Sequence, residues 1–68
     1  MTNFKLLLIS ADFACYWVNC CGKLGSMPRI YDILCFINEY YTEYGMMQID
    51  SKLQLCEHIK TEYLKMNL

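Results

Sequence analysis

The chain has 68 residues, of which 56% are hydrophobic and 15% aromatic, and its formal net charge is −1. This length allows a single domain, 1–68. The lack of a basic surplus argues against nucleic acid as a partner, because neutralised phosphates supply most of the affinity for DNA and RNA. Small domains bury a limited share of their surface. The high apolar content therefore predicts that a second copy, another protein or a membrane covers part of it.

The first predicted helix covers residues 3–21, and its polar residues align on one narrow stripe of a helical projection: Lys5, Asp12, Tyr16, Asn19 and Lys23. Because the spacing continues through Ser10, one uninterrupted helix is favoured. The alternative is a strand over Phe4–Ile9 before a shorter helix, which would make the fold α+β. The wide apolar remainder predicts self-association, and the candidate residues are Phe13, Trp17, Cys20 and Leu24.

The same segment raises the question of a membrane. Phe4–Cys21 is about as long as a short membrane span, but Lys5 and Asp12 interrupt it. A charge near the middle of a span costs about 2.5–3.5 kcal/mol on insertion scales. The start of the chain also does not follow a signal-peptide pattern. We therefore expect a cytoplasmic protein, with membrane association as an alternative.

The second predicted helix covers about residues 29–44, after a loop at 22–28. Gly22 or Gly25 can close the first helix, Ser26 is a candidate cap, and Pro28 is expected in the first turn of the second helix. The inner face of this helix is predicted to carry Ile30, Ile33, Leu34, Ile37, Tyr41 and Tyr44. The opposite face combines acidic and aromatic residues, which predicts a partner-binding surface formed by Asp32, Phe36, Glu39, Tyr40 and Glu43.

The third predicted helix covers about residues 51–66, after Gly45 ends the second helix and a link spans 45–50. Ser51 and Gln54 have the spacing of a capping box. The residues expected to be buried are Leu55, Cys56, Ile59, Tyr63 and Met66. Three helices with short connections predict a mainly α fold, most simply a small three-helix bundle.

The five cysteines and the one histidine are the candidates for disulfides, metal binding and catalysis. An odd number of cysteines, two of them adjacent, does not form the framework of a secreted mini-protein, so we expect a reducing compartment and mostly buried thiols. Their spacing does not match structural zinc sites. His58 and Cys56 are expected to diverge on the third helix, which disfavours a Cys–His pair. The sequence therefore predicts neither an enzyme nor a cofactor.

Three functional hypotheses follow. The first is a non-enzymatic protein that binds another protein, of the kind of a small phage-type inhibitor or adaptor. Its acidic aromatic helix face would occupy a basic site on the partner. The second is a structural homo-oligomer, or a small subunit of a larger assembly, held together through the first helix. The third is a small membrane-associated protein that uses the same helix.

Overall fold

The computed structural model describes residues 3–22 and 27–66. They form three α-helices, α1 (Asn3–Cys21), α2 (Ile30–Tyr40) and α3 (Ile49–Met66), with a single 3₁₀ turn at Thr42–Tyr44 after α2. The third helix packs against both of the others. The described residues include no strand, so the mainly α, three-helix prediction is confirmed and the alternative with a strand at Phe4–Ile9 is wrong.

The continuity of α1 depends on how it accommodates Ser10. The Ser10 hydroxyl donates a hydrogen bond to the Leu6 carbonyl oxygen at 2.8 Å. This satisfies a buried polar group without breaking the helix. The helix ends at Gly22, which has a φ of +80° and donates its N–H to the Val18 carbonyl at 2.7 Å. This left-handed conformation favours glycine, so of the two predicted candidates, Gly22 and Gly25, it is Gly22 that closes the helix. The candidates Lys23, Leu24, Gly25 and Ser26 lie outside the described residues.

The start of α2 differs from the prediction by about one residue. Pro28 is buried and lies ahead of the cap residue Arg29, so it is not in the first turn. The Asp32 carboxylate accepts a hydrogen bond from the Arg29 backbone N–H at 2.8 Å. A carboxylate at this position satisfies a backbone donor and also interacts favourably with the positive end of the helix dipole. Asp32 therefore has a structural role in starting the helix.

The end of α2 comes earlier than predicted. The helix stops at Tyr40, and Tyr41 leaves helical geometry with φ −127° and ψ 63°. The chain then makes the 3₁₀ turn, which closes when the Gly45 N–H donates to the Thr42 carbonyl at 2.8 Å. Gly45 thus ends this short turn instead of a helix over 29–44. The break at Tyr41 allows its hydroxyl to donate to the Asp12 carboxylate on α1.

The third helix begins two residues before the predicted start. The Lys52 N–H donates to the Gln48 carbonyl at 3.0 Å, which makes Gln48 the residue before the first turn of α3. Ser51 then lies inside the first turn, so the predicted capping box of Ser51 and Gln54 is wrong. Asp50 lies in the first turn of α3, where a carboxylate interacts favourably with the helix dipole.

The core is a single apolar cluster to which all three helices contribute. Its fully or almost fully buried members are Ile9, Phe13, Ile33, Phe36, Ile37, Cys56, Ile59 and Tyr63. The burial predicted on α3 is confirmed for Cys56, Ile59 and Tyr63, and Leu55 is partly buried. Met66 is exposed, because it lies in the last turn of α3, beyond the cluster.

The cysteines do not follow the prediction of mostly buried thiols. Only Cys56 is buried, whereas Cys15, Cys20, Cys21 and Cys35 are free and exposed. The apolar surface of α1 is wider than the part that α2 and α3 cover, and three of the exposed thiols lie on that helix. Burial raises the pKa of the Cys56 thiol to about 11.

Candidate partner-binding groove

Phe36 does not lie on an outer acidic face, and the prediction that placed it there is wrong. Its side chain is 3% exposed. Its ring centroid lies 5.4 Å from that of Phe13 and 4.9 Å from that of Tyr16, both on α1. Helical periodicity correctly separated this side of α2 from the Ile33 side. It could not show that aromatic rings of α1 would cover the Phe36 side.

The other predicted partner-binding residues do not share one surface. Asp32 caps the start of α2, and Tyr40 lies eight residues later, about 12 Å along the helix axis. Glu43 lies on the 3₁₀ turn and forms an ion pair with Lys5 at 3.4 Å. More than half of each of these two side chains is exposed, so the pair contributes little to stability. Glu39 is exposed.

A groove between α1 and α2 brings together a different set of residues. Asp12, Tyr16 and Asn19 lie one turn apart along α1 and form one wall. The opposite wall of the groove consists of Tyr40 and Tyr41. The buried Phe36 ring also lines the groove, whose volume is about 390 Å³. This is near the lower end of the range of about 300–1,000 Å³ for ligand pockets.

Aromatic rings form most of the groove and hold one another in place. The Tyr16 and Tyr40 rings are in edge-to-face contact, with centroids 5.6 Å apart and planes at 62°. Phe36 lies 5.3 Å from Tyr40 and 5.7 Å from Tyr41. These edge-to-face and tilted contacts are the geometries that aromatic pairs prefer. The groove therefore has an ordered aromatic lining before any ligand enters.

Asp12 supplies the negative charge of the groove. Its carboxylate accepts a hydrogen bond from the Tyr41 hydroxyl. Burial, followed by the hydrogen bond to Asp12, raises the pKa of Tyr41 to about 12. A hydrogen bond with the Cys20 thiol, followed by burial, raises the pKa of Tyr16 to about 12. Both hydroxyls therefore stay neutral near pH 7, and Asp12 is the one carboxylate among the lining residues.

The sequence contains a signal for one wall of this site, namely the polar stripe predicted on the first helix. Asp12, Tyr16 and Asn19 were recognised as part of the polar stripe of the first helix. They were not recognised as a wall of a site, because the sequence does not show which helix packs beside that stripe. Tyr41 was placed on the inner face of a longer second helix. Its actual role depends on the helix break at its own position.

The residues predicted for self-association differ in their burial. Phe13 is completely buried, so it cannot contact a second copy. Its ring stacks on that of Trp17, which is partly buried, with centroids 5.8 Å apart and an interplanar angle of 20°. Cys20 is exposed, and Leu24 lies outside the described residues. The largest exposed apolar side chains of α1 are instead Phe4, Leu7 and Leu8.

Two further observations concern chemistry and membranes. Among residues 3–22 and 27–66, no group of three or more histidine, cysteine or acidic side chains is placed to hold a metal ion. His58 is exposed, whereas Cys56 is buried.

Within the described chain one helix, over Phe4–Cys21, is long and apolar enough to cross a membrane by length and composition. Core helices and signal sequences meet the same criterion.

Comparison with known protein families, with curated protein sequences and with solved structures finds no match to this chain. Its function is therefore inferred from the geometry of the molecule.

Proposed function

We propose that the protein acts by non-covalent contact with another protein, and that the groove receives a basic side chain from that partner. The observation that carries the proposal is a groove whose lining combines the Asp12 carboxylate, hydrogen-bonded to Tyr41, with the rings of Tyr16 and Tyr40. A cation over an aromatic face is stabilised by about 0.5–2 kcal/mol, depending on how far it is desolvated. The adjacent carboxylate adds charge attraction and a hydrogen-bond acceptor.

The chemistry favours arginine over lysine as the side chain that enters. A guanidinium group is planar, stacks on aromatic rings and presents several N–H donors at fixed angles. The Tyr41 hydroxyl occupies one acceptor site of Asp12, and a carboxylate offers about four such sites. Among residues 3–22 and 27–66 no other hydrogen bond to Asp12 is present, so its remaining sites can accept from a guanidinium that lies against the Tyr16 and Tyr40 rings.

This proposal revises the first sequence-based hypothesis without changing its class. The function is still that of a non-enzymatic inhibitor or adaptor that occupies a basic site, but the contact surface is the groove instead of the outer face of α2. Five free cysteines support a reducing, cytoplasmic location as part of the same proposal, because disulfides are rare in reducing compartments.

An NMR titration tests the proposal with defined probes. The two probes are short peptides that differ in one residue, arginine in the first and its uncharged analogue citrulline in the second. The arginine peptide is expected to give saturable shifts at Tyr16, Asn19, Tyr40 and Tyr41, and the citrulline peptide to give much smaller ones. Equal shifts with both peptides, or no saturable shift in the groove, would reject the proposal.

A further inference from the structure

A second surface lies on the opposite side of α1 from the core. Its residues are Phe4, Leu8, Ala11, Cys15 and Val18, which are separated by four, three, four and three positions. This alternation gives a repeat of 3.5 residues, the spacing of helices that pair along a narrow apolar seam. Four of these residues are exposed and Val18 is partly buried. We call these five residues the outer seam.

The face of α1 that contains the outer seam has protruding side chains at one end and a hollow at the other. At the N-terminal end, Phe4 is 80% exposed, and Leu7 and Leu8 are about half exposed. At the C-terminal end, a depression of about 390 Å³ is lined by Ala14, Cys15, Val18 and Asn19. The face therefore carries both protruding side chains and a hollow, about two turns apart along one helix.

We infer that the outer seam pairs with the outer seam of a second copy in antiparallel orientation. A two-fold axis near Ala11 would place the Leu7 and Leu8 side chains of each copy against the hollow of the other. Such an interface is self-complementary and closed, as expected for a symmetric dimer. A parallel pair would instead set Phe4 against Phe4 and hollow against hollow, leaving a gap along the C-terminal half.

The charge of the surface favours a second copy over lipid. A specific interface needs roughly 1,000 Å² in total, on the order of 500 Å² per copy, and the exposed Phe4, Leu7 and Leu8 side chains contribute to it. Helices that lie in a membrane surface carry several Lys or Arg residues along their polar side. In Asn3–Cys21 the one basic residue is Lys5, and it pairs with Glu43.

The inferred dimer leaves the groove accessible, because the groove lies on a different side of α1. Of the residues that line the groove and the hollow, Asn19 alone borders both. The dimer and the proposed binding function are therefore separable. A chain that fails to dimerise can still bind the arginine peptide, and failure of peptide binding would leave the dimer unaffected.

Sedimentation velocity in reducing buffer tests the dimer, with Ala11→Glu as the central variant. This substitution places two carboxylates next to the two-fold axis, and the dissociation constant is expected to rise by at least about tenfold. The control is Ile49→Glu on α3, because Ile49 is 55% exposed and Ala11 is also exposed. This control is expected to dimerise like the wild type. Circular dichroism verifies that both variants are folded.

Two variants with opposite charges at position 11 distinguish charge repulsion between the copies from a folding defect. Ala11→Lys alone is expected to be monomeric, and an equimolar mixture of Ala11→Lys and Ala11→Glu is expected to form a heterodimer. A wild-type chain that is monomeric at high concentration would overturn the inference, as would an Ala11→Glu chain that dimerises like the wild type. A monomer that floats with phosphatidylcholine vesicles, and loses this binding on Leu8→Glu, would assign the face to lipid and also overturn it.

Oxidative cross-linking tests the orientation. In Leu8→Cys, the introduced thiol is expected to form a disulfide with Cys15 of the second copy. Within one chain these positions are about 10 Å apart along the helix, too far for a disulfide. Chymotrypsin cleavage at Phe13 and Tyr16 separates the two thiols for mass spectrometry. A Cys15–Cys15 cross-link in its place would show parallel pairing and contradict the antiparallel arrangement.

Discussion

Replacing Phe36 by leucine perturbs the point at which α1 and α2 meet. The Phe36 ring is almost fully buried and lies 4.9–5.7 Å from the rings of Phe13, Tyr16, Tyr40 and Tyr41. Each aromatic pair contributes about 0.5–1.5 kcal/mol beyond the burial of its area. Leucine retains much of the apolar volume, so we expect a loss of about 1–3 kcal/mol in the free energy of unfolding.

That loss is large for a chain of this size. A 68-residue protein has an expected stability of about 3–10 kcal/mol, and the variant should lose a substantial fraction of it. Urea denaturation followed by circular dichroism measures the change. The matched control is Tyr31→Leu, an aromatic replacement on the same helix at a side chain that is 70% exposed, where the change should stay within about 0.5 kcal/mol.

The reasoning would be refuted if Phe36→Leu and Tyr31→Leu had the same small effect. That result would mean that Phe36 is exposed, and it would return the acidic aromatic face of α2 to consideration as a binding surface. A large effect at Phe36 alone supports its position between α1 and α2.

Three other expectations concern the backbone and the titratable groups. Gly22→Ala should destabilise the fold by about 1 kcal/mol, because a side chain at φ +80° is strained. The added methyl itself has space, since no atom lies within 4 Å of it. A gain in stability on urea denaturation would contradict the assigned conformation. At pH 8, the four exposed thiols should react quickly with Ellman's reagent. The fifth, Cys56, should react only as the chain unfolds, because burial raises its pKa to about 11. Cys56→Ser should remove this slow phase. Ultraviolet titration should show Tyr16 and Tyr41 ionising late, near pH 12, and a hydrogen bond with Cys35 also raises the pKa of Tyr31 above its ordinary value. Since the pKa values of Tyr16 and Tyr41 are raised above the ordinary value of 10, the stability that these two residues contribute is complete below pH 10 and is lost as the pH rises towards 12; ionisation of all tyrosines together near pH 10 would contradict this.

The sequence was sufficient for the elements of the fold and insufficient for their mutual arrangement. The continuous apolar spacing through Ser10 predicted α1, and Gly22 ended it as expected. Helix boundaries were less accurate. The end of α2 at Tyr41 is accompanied by a hydrogen bond to Asp12 on α1, and local propensity does not encode such a contact.

The candidate site was harder to predict for a related reason. Periodicity assigns residues to faces of their own helix, whereas a site is defined by which faces meet. Phe36 was correctly separated from Ile33 but was placed on the outside, since nothing local indicates that α1 packs there. Asp12 and Tyr16 were correctly aligned on one stripe, and the structure adds the neighbouring Tyr40 that makes this stripe a wall of the groove.

The most direct test of the central claim is the affinity of the arginine peptide for two charge variants, measured by the same NMR titration. Asp12→Asn removes the charge of the groove but keeps an acceptor for the Tyr41 hydroxyl, whereas Glu39→Gln removes an exposed charge from outside the lining. We expect Asp12→Asn to weaken binding by at least about tenfold and Glu39→Gln by less than about twofold. Equal losses in the two variants, or unchanged binding in Asp12→Asn, would contradict the assignment of the groove as the binding site.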